Sequence, residues 1–452
     1  MGIFKAYDIR GLVPSELDAE LARKIGYHFA KLLNARRLVV GQDMRTHSPE
    51  LADAVSEGMR DAGADVVRLG LASTPMTYFS IGTIECDGGL CVTASHNPGE
   101  YNGMKLCRAG ARPVSRDTGI AELETMCAGP YPGPGEKRGR EESANMLDAY
   151  AAHVAGFATI ERELEVVVDA SNGMAGHTLP AVLERLPNVK VKRLFFELDG
   201  TFPNHEANPL KEENLAFTQE AVRAEGADFG VCLDGDADRC CFVDETGRTV
   251  GADLMTALFA PVFLERFPGT GIIYDLRSSW VVQEEVRKAG GTPVRERVGH
   301  SFMKATMREQ GIQFGGELSG HFYFGENFVS DSGEIAFVTA LGYMGSSRPM
   351  GQPLSKLIEP LRRYHSTGEV NFRVEDKDAM IASLEERYAE GKVDHLDGIT
   401  VEFGTVDDPE WWWFNVRASN TEPLLRLNLE ASSEELMNER RAELVAMLGD
   451  PV

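Results

Sequence analysis

Short apolar, β-branched runs recur along the chain, and each ends in a polar loop that carries glycine or serine. They include Arg37–Asp43 (RLVVGQD), Leu164–Gly173 (LEVVVDASNG), Phe229–Arg239 (FGVCLDGDADR) and Gly271–Ser279 (GIIYDLRSS). Brief apolar runs bounded by turn signals predict buried strands. Segments of helical period lie between them; Leu147, Tyr150, Val154 and Phe157, for example, fall on one stripe of a predicted helix. Strands alternating with helices predict α/β layers, with ligands gathered at the carboxyl ends of the strands. From about Leu361 onward strand outweighs helix, which predicts an α+β domain. No repeat at a fixed short period is present.

The breakers divide this pattern. The densest cluster, Ala128–Ser143 (AGPYPGPGEKRGREES), reads as an interdomain linker, and Asp244–Asp253 and Met344–Pro353 are weaker boundaries. The expected division is 1–143, 144–247, 248–361 and 362–452, four parts of domain size. A chain of 452 residues suggests about three domains and allows four.

Composition narrows the function. With 43% apolar and 26% charged residues the chain reads as globular. Its 46 basic and 70 acidic residues give a net charge of −24, which argues against nucleic acid and anionic membrane surfaces as partners. An anionic small molecule stays open, because a few arginines and lysines can dominate a cleft. Seven cysteines without a C-x-x-C form neither a disulfide framework nor a zinc motif, and adjacent Cys240 and Cys241 read as small core residues. The start, MGIFKAYDIRG, has no apolar signal region, Ala6 spoils a myristoylation motif, and no stretch is long and apolar enough to span a bilayer. A cytoplasmic protein is expected.

Four loops could carry chemistry. In Cys91–Lys105 (CVTASHNPGEYNGMK), Ser95 and His96 stand at the mouth of a strand. Neighbouring side chains in extended chain point apart and no G-x-S-x-G elbow is present, so a hydrolase triad fits poorly. Ser95 could instead hold a phosphoryl group, with glycine amides and Lys105 nearby to receive its charge. On these residues alone a surface turn capped by Ser and Asn competes with that reading. In Asp234–Arg239 (DGDADR), carboxylates at i, i+2 and i+4 repel, and a divalent cation relieves that repulsion; Mg²⁺ suits carboxylate oxygens completed by phosphate. Calcium in an EF-hand is the rival, with Glu245 at the twelfth position, but Arg239 stands where that loop needs Gly. In Gly315–Phe324 (GGELSGHFYF), Glu317, Ser319 and His321 would share one face of an extended segment, as a polyol site or as an ordinary polar strand face. In Arg417–Pro423 (RASNTEP), Arg417, Ser419, Asn420 and Thr421 make a plausible phosphate cradle, although no P-loop motif occurs. Trp411, Trp412 and Trp413 before it read as packing residues, with Trp412 facing away from its neighbours.

With these motifs in hand, the chain resembles the α-D-phosphohexomutase family from KAYDIRG (Lys5–Gly11) through TASHNP and DGDADR to RASNTEP, almost its whole length. The resemblance implies a four-domain phosphohexomutase architecture: three related α/β domains and a smaller C-terminal α+β domain around a central cleft. It implies a phosphorylated Ser95, with Asp234, Asp236 and Asp238 holding Mg²⁺ together with the phosphoserine. Glu317 and Ser319 would grip sugar hydroxyls, and Arg417, Ser419, Asn420 and Thr421 would hold the phosphate that is not transferring. Arg10, His96, Lys105, Arg239, His300 and His321 match positions near the reacting centre, and Tyr7 lies in the N-terminal motif. The implied reaction passes a phosphoryl group from Ser95 to a hexose monophosphate, forms a hexose 1,6-bisphosphate, and returns the other phosphate to Ser95. Lys105, His300 and His321 are the candidates for the proton transfer.

Departures from the family pattern qualify this. Gln42 stands where many relatives carry Arg. Arg277 stands where Lys is expected, and it would bind phosphate as a fork rather than a point charge. Ala237 stands where many have Gly, a change tolerated if its φ is negative. The AYDIRG start and Leu318 lean towards mannose or glucose phosphates over glucosamine phosphate. The C2 epimers differ by one hydroxyl, so dual activity is expected to be open. A sensor of sugar phosphate or calcium that kept the fold without turnover is the alternative of another class. Hexose phosphates are the expected partners, in a monomer or homodimer.

Overall fold

The computed structural model describes residues 2–419 and 424–452. Four sheets follow one another along the chain. In the first, Gly88–Val92, Arg37–Gln42, Asp65–Leu71 and Glu141–Ser143 run parallel, and Gly88–Val92 continues antiparallel through Tyr101–Arg108 to Ile9–Leu12. In the second, Val189–Leu194, Leu164–Asp169 and Phe229–Leu233 are parallel, and Cys240–Asp244 and Thr249–Val250 close the edge antiparallel. The third repeats that plan with Thr292–Glu296, Gly271–Asp275 and Phe314–Gly316, then Phe322–Phe324 and Ser330–Asp331.

In all three, one polar loop joins the last parallel strand to its first antiparallel neighbour. Those loops contain Ser95, the Asp234–Arg239 run, and Glu317 to His321. The central parallel strands of the second sheet, Leu164–Asp169 and Phe229–Leu233, are apolar and buried over nearly their whole length, and their polar loops begin at the carboxyl ends. The fourth sheet, in the order His365–Phe372, Leu425–Ala431, Trp412–Ala418, Ile399–Phe403, Lys392–Asp394, is wholly antiparallel. Helices Lys377–Arg387 and Glu434–Leu448 add Leu384, Leu444 and Leu448 to its core. This is the three α/β plus one α+β architecture expected of the chain.

The first three domains share a continuous core, in which Phe79, Phe242, Phe314 and Phe337 belong to one cluster. Helix Gly333–Gly345 is apolar on nearly every side and buried throughout its first nine residues, because it packs against more than one domain. The fourth domain has its own core and meets the third through Trp280, which stacks on Trp411 at 4.5 Å between ring centres. Trp412 faces the opposite way, stacked on Phe403, as strand alternation requires. The breaker-rich segment does not hang free: Gly135 and Gly139 donate to Asp61 and Arg60 carbonyls, and Glu141–Ser143 adds an edge strand to the first sheet. Among the described residues no helix is long and apolar enough to cross a membrane.

Glu334, buried near the start of helix Gly333–Gly345, accepts from Ser73 of the first domain and from Tyr150 and Thr178 of the second. Burial raises its carboxyl from 4.5 to about 7, against the opposing effect of those three hydroxyls. A carboxyl raised on folding stabilises the protein below its unfolded value and loses that contribution as pH rises through the folded value. Glu334 is therefore expected to contribute about 3 kcal/mol at pH 4.5 that is gone by pH 8. Urea unfolding of the protein and of Glu334→Gln across that range should diverge by this amount; parallel curves would remove Glu334 as the titrating group.

Candidate active site

The serine loop begins where strand Gly88–Val92 ends. Thr93 Oγ1 accepts from the Ser95 amide at 3.0 Å, and Ser95 takes a left-handed φ of 51°. That conformation costs a non-glycine residue about 1 kcal/mol, and the surrounding contacts must hold it. It aims Ser95 Oγ at Asp234 Oδ2, 2.9 Å away, and brings His96 Nδ1 to 3.1 Å. Ser95 and His96 were expected to point apart; the left-handed turn brings them together, since the chain there is not extended. Arg10 donates to Asn97 and pairs with Asp8 at the loop's edge.

The acidic loop meets it from the second domain. A Cβ on Gly235 would lie 2.5 Å from the Ser95 carbonyl oxygen, so the two backbones touch there. Asp234, Asp236 and Asp238 are buried, with carboxylate oxygens of all three within 4.8 Å of one another. Lys105, from strand Tyr101–Arg108, sits 2.7 Å from Asp236 and also pairs with Asp238. Burial alone would lower the Lys105 ammonium, but Asp236, Asp238 and Asp234 outweigh it and hold it charged. Burial, with repulsion from Asp236 and Asp238, raises Asp234 well above the usual carboxylate range; Asp238, where Lys105 and His321 outweigh burial, falls well below it. Thr74 donates to Asp236 at 2.7 Å, yet Asp236 Oδ1 and Asp238 Oδ1 are buried with no hydrogen-bond partner among the described residues. Two orphaned carboxylate oxygens beside a third carboxylate are a donor set that fits a hard divalent cation. The flanks of this loop are strands, and Glu245 accepts from Ser355 instead, so the EF-hand geometry is not formed.

Glu317, Ser319 and His321 are not on an extended segment. Phe314–Gly316 ends, Gly320 takes φ 82°, and the Glu317 amide donates to the His321 carbonyl across a tight turn. Alternate spacing in the sequence fits such a turn as well as a strand, and the turn still gathers the three side chains. Ser319 Oγ lies 2.8 Å from His321 Nδ1, and Glu317 accepts from Tyr323 and from the Gly299 amide at 2.9 Å. Arg239 Nε donates to His321 Nε2 at 3.3 Å, tying this turn to the acidic loop. His300 opens helix His300–Gln310 against the Tyr7 ring, 5.5 Å between centres, and its Nδ1 is buried without a partner among the described residues. Burial, then Lys304 and Lys105, pushes His300 well below its usual value, so its ring is neutral; burial and Arg239 do the same to His96.

Arg277 forks onto Asp275 at 3.0 and 2.8 Å and points its remaining nitrogen at Glu369, 3.5 Å away. Arg417 and Arg426 of the fourth domain converge on the same Glu369 carboxylate. Ser419 is buried beside them; Asn420 and Thr421 lie outside the described residues. Gln42 accepts from Arg68 at 3.1 Å.

Comparison with known proteins agrees with this geometry. Models of the three alpha/beta/alpha domains of phosphoglucomutase/phosphomannomutase match residues 1–128, 148–247 and 252–364, and the model of its C-terminal domain matches 369–447. The chain belongs to the phosphoglucomutase/phosphomannomutase family. It is 40% identical over 450 residues to the phosphohexose mutases of Xanthomonas campestris pv. campestris (strain B100), covering 98% of each chain. It is 39% identical over 457 residues to a phosphomannomutase of Salmonella typhimurium, again over 98% of each. A crystal structure of a family protein from Burkholderia thailandensis superposes with a TM-score of 0.89 at 32% identity, covering 100% of this chain and 98% of that one. The chain is accordingly an isomerase of carbohydrate metabolism, an intramolecular phosphotransferase.

Three site residues carried no sequence signal of their own. Glu369 is one, just past a bulge in strand His365–Phe372, and Thr74, the first residue of a helix, is another. The third is Arg45, whose fully buried guanidinium donates to the carbonyls of Ser95, Asn97, Pro98 and Tyr101, with the Phe202 ring 5.0 Å away. Arg45→Lys keeps the charge but not the planar fork. It should lose about 3 kcal/mol in urea unfolding and speed amide exchange across 95–101; unchanged exchange there would refute the tether. Ala237 has φ 64°, not the negative value under which the change from Gly is tolerated. Ala237→Gly should therefore stabilise the protein by about 1 kcal/mol in the same assay, and a loss of stability would contradict the strain.

Proposed function

We propose that the protein is a phosphomannomutase that interconverts mannose 1-phosphate and mannose 6-phosphate through phospho-Ser95 and a hexose 1,6-bisphosphate. The observation that carries this is Ser95 Oγ, held in a left-handed turn against a buried carboxylate trio and Lys105. A lone nucleophile needs no such charge cluster, whereas a phosphoserine beside a divalent cation does. The Xanthomonas relatives are described as phosphohexose mutases, a name that specifies no single hexose, and the reading extends on that ground to glucose phosphates. The seven free cysteines fit a cytoplasmic enzyme.

A sugar hydroxyl attacks the phosphorus of phospho-Ser95. The new P–O bond to the sugar forms as the bond to Ser95 Oγ breaks, and the serine oxygen takes up a proton. That proton comes from solvent, and His96, whose Nδ1 lies 3.1 Å from Ser95 Oγ, is placed to relay it, giving up a ring proton to the serine oxygen as its other nitrogen takes one up. The hydroxyl's proton goes to His300, whose ring is neutral and whose Nδ1 is unengaged. Lys105 is held as an ammonium by its aspartates, and both nitrogens of His321 are occupied by Arg239 and Ser319, which leaves His300 as the better acceptor. Mg²⁺ held by Asp234, Asp236 and Asp238 would supply positive charge for the phosphoryl oxygens. Glu317 and Ser319 orient the sugar hydroxyls, Arg10, Arg239 and Lys105 offset charge on the transferring group, and Tyr7 walls the cleft. Arg277, Arg417 and Ser419, with Asn420 and Thr421, take the other phosphate. After the bisphosphate turns over, the reverse transfer restores phospho-Ser95.

The deciding assay follows mannose 1-phosphate and glucose 1-phosphate in parallel, with Mg²⁺ and a trace of hexose 1,6-bisphosphate. Ser95→Ala should lose at least about a thousandfold in kcat, and a chelator should stop the reaction reversibly. Turnover that survives either change would overturn the roles given to phospho-Ser95 and Mg²⁺, and absence of turnover on both sugars would point to the sensor.

A further inference from the structure

We infer that the second domain holds a separate site for a zinc-class divalent cation, formed by Asp169, His205 and Cys232. Asp169 ends strand Leu164–Asp169, and Cys232 stands directly opposite it on the parallel strand Phe229–Leu233, so both side chains rise on one face of the sheet. His205 descends on them from the segment that leaves strand Val189–Leu194. A sulfur, a ring nitrogen and a carboxylate oxygen lie within 4.8 Å of one another, and both strand residues are fully buried.

The hydrogen bonding of His205 shows what the cluster lacks. Nδ1 lies 2.8 Å from the Glu206 carbonyl, which can only accept, so Nδ1 carries the proton. A neutral ring then turns its Nε2 lone pair towards both oxygens of Asp169, at 3.3 and 3.2 Å. Acceptor would face acceptor in a buried place, and a positive centre at Nε2, either a second ring proton or a metal ion, resolves that. A second ring proton would satisfy the histidine and the aspartate alone. A metal also engages Cys232, whose thiol proton would leave to solvent as the bond forms.

The surroundings match a metal ligand set. A backbone carbonyl on the far nitrogen is the usual outer partner of a ligating histidine. Asp169 is itself oriented by the Ser171 amide at 2.8 Å and Thr218 Oγ1 at 3.3 Å. Nitrogen, sulfur and oxygen together select zinc or cobalt over magnesium, and three protein ligands leave a fourth position open. The site does not depend on the reading of Ser95. It bears on it structurally, because the same segment packs Gly200 against Gly99 and sets Phe202 beside Arg45. Metal binding there would fasten the joint between the first two domains.

The test titrates the full-length protein with Co²⁺ in excess Mg²⁺, which keeps the acidic loop occupied. One equivalent should bind with a near-ultraviolet thiolate-to-cobalt charge-transfer band, a signal three aspartates cannot produce. Cys232→Ser should abolish the band. His205→Gln, a change in a loop rather than in a buried strand, should weaken cobalt and zinc binding at least about tenfold while leaving the fold intact. No band in the unaltered protein would assign the second ring proton instead. A band that survives Cys232→Ser, or affinity unchanged in His205→Gln, would equally overturn the site.

Discussion

Three carboxylates in one buried loop set the terms for this molecule. Each pair of unit charges about 4 Å apart repels by about 4 kcal/mol at the effective dielectric of a protein, so the loop cannot stand alone. Lys105 is brought from the neighbouring domain to lie between Asp236 and Asp238, Thr74 reaches in from a helix end, and Arg239 backs Asp234. Lys105 and Thr74 come from two separate stretches of the first domain, whereas Arg239 is the loop's own last residue. The first two domains must therefore dock correctly before the acidic loop is tolerable, and the docking that satisfies it also delivers Ser95. Folding and assembly of the site are one event here.

The three α/β domains reach that arrangement by using one position three times. A parallel sheet that turns antiparallel has a single junction loop whose residues are free of ladder bonds on one side, and its tip lies at the carboxyl ends of the strands. One copy of the loop carries Ser95, the next the carboxylates, the third the turn from Glu317 to His321. Glu334 sits where all three domains meet and accepts from the first two. The division of labour follows from geometry that a single sheet could not supply, since one junction loop has room for only one of these tasks.

How much of this is legible in sequence depends on how local each feature is. TASHNP and DGDADR put their chemistry within a few residues, and the strands that carry them announce themselves by β-branched runs; the family resemblance rested on such stretches. The left-handed turns at Ser95 and Ala237 were not legible, because backbone sign is decided by what the loop packs against. Nor was the turn at Glu317 to His321, whose alternation mimics a strand until Gly320 reverses the chain. Arg45, Thr74 and Glu369 were invisible for a different reason. Each is a single polar residue whose importance arises from groups distant in the chain, such as the Ser95 carbonyl for Arg45 and Arg417 for Glu369.

The convergence of Arg277, Arg417 and Arg426 on Glu369 has a consequence for what can enter the cleft. Three guanidinium groups left bare would recruit any small anion in solution. A carboxylate tethered among them competes at an effective concentration in the millimolar range or above, which loosely held ions do not match. An anion that gains further contacts elsewhere in the cleft, as one end of a sugar phosphate would, can displace it. The glutamate keeps the three guanidinium groups converged and paired, so any anion that reaches them has to outcompete a carboxylate already held in place.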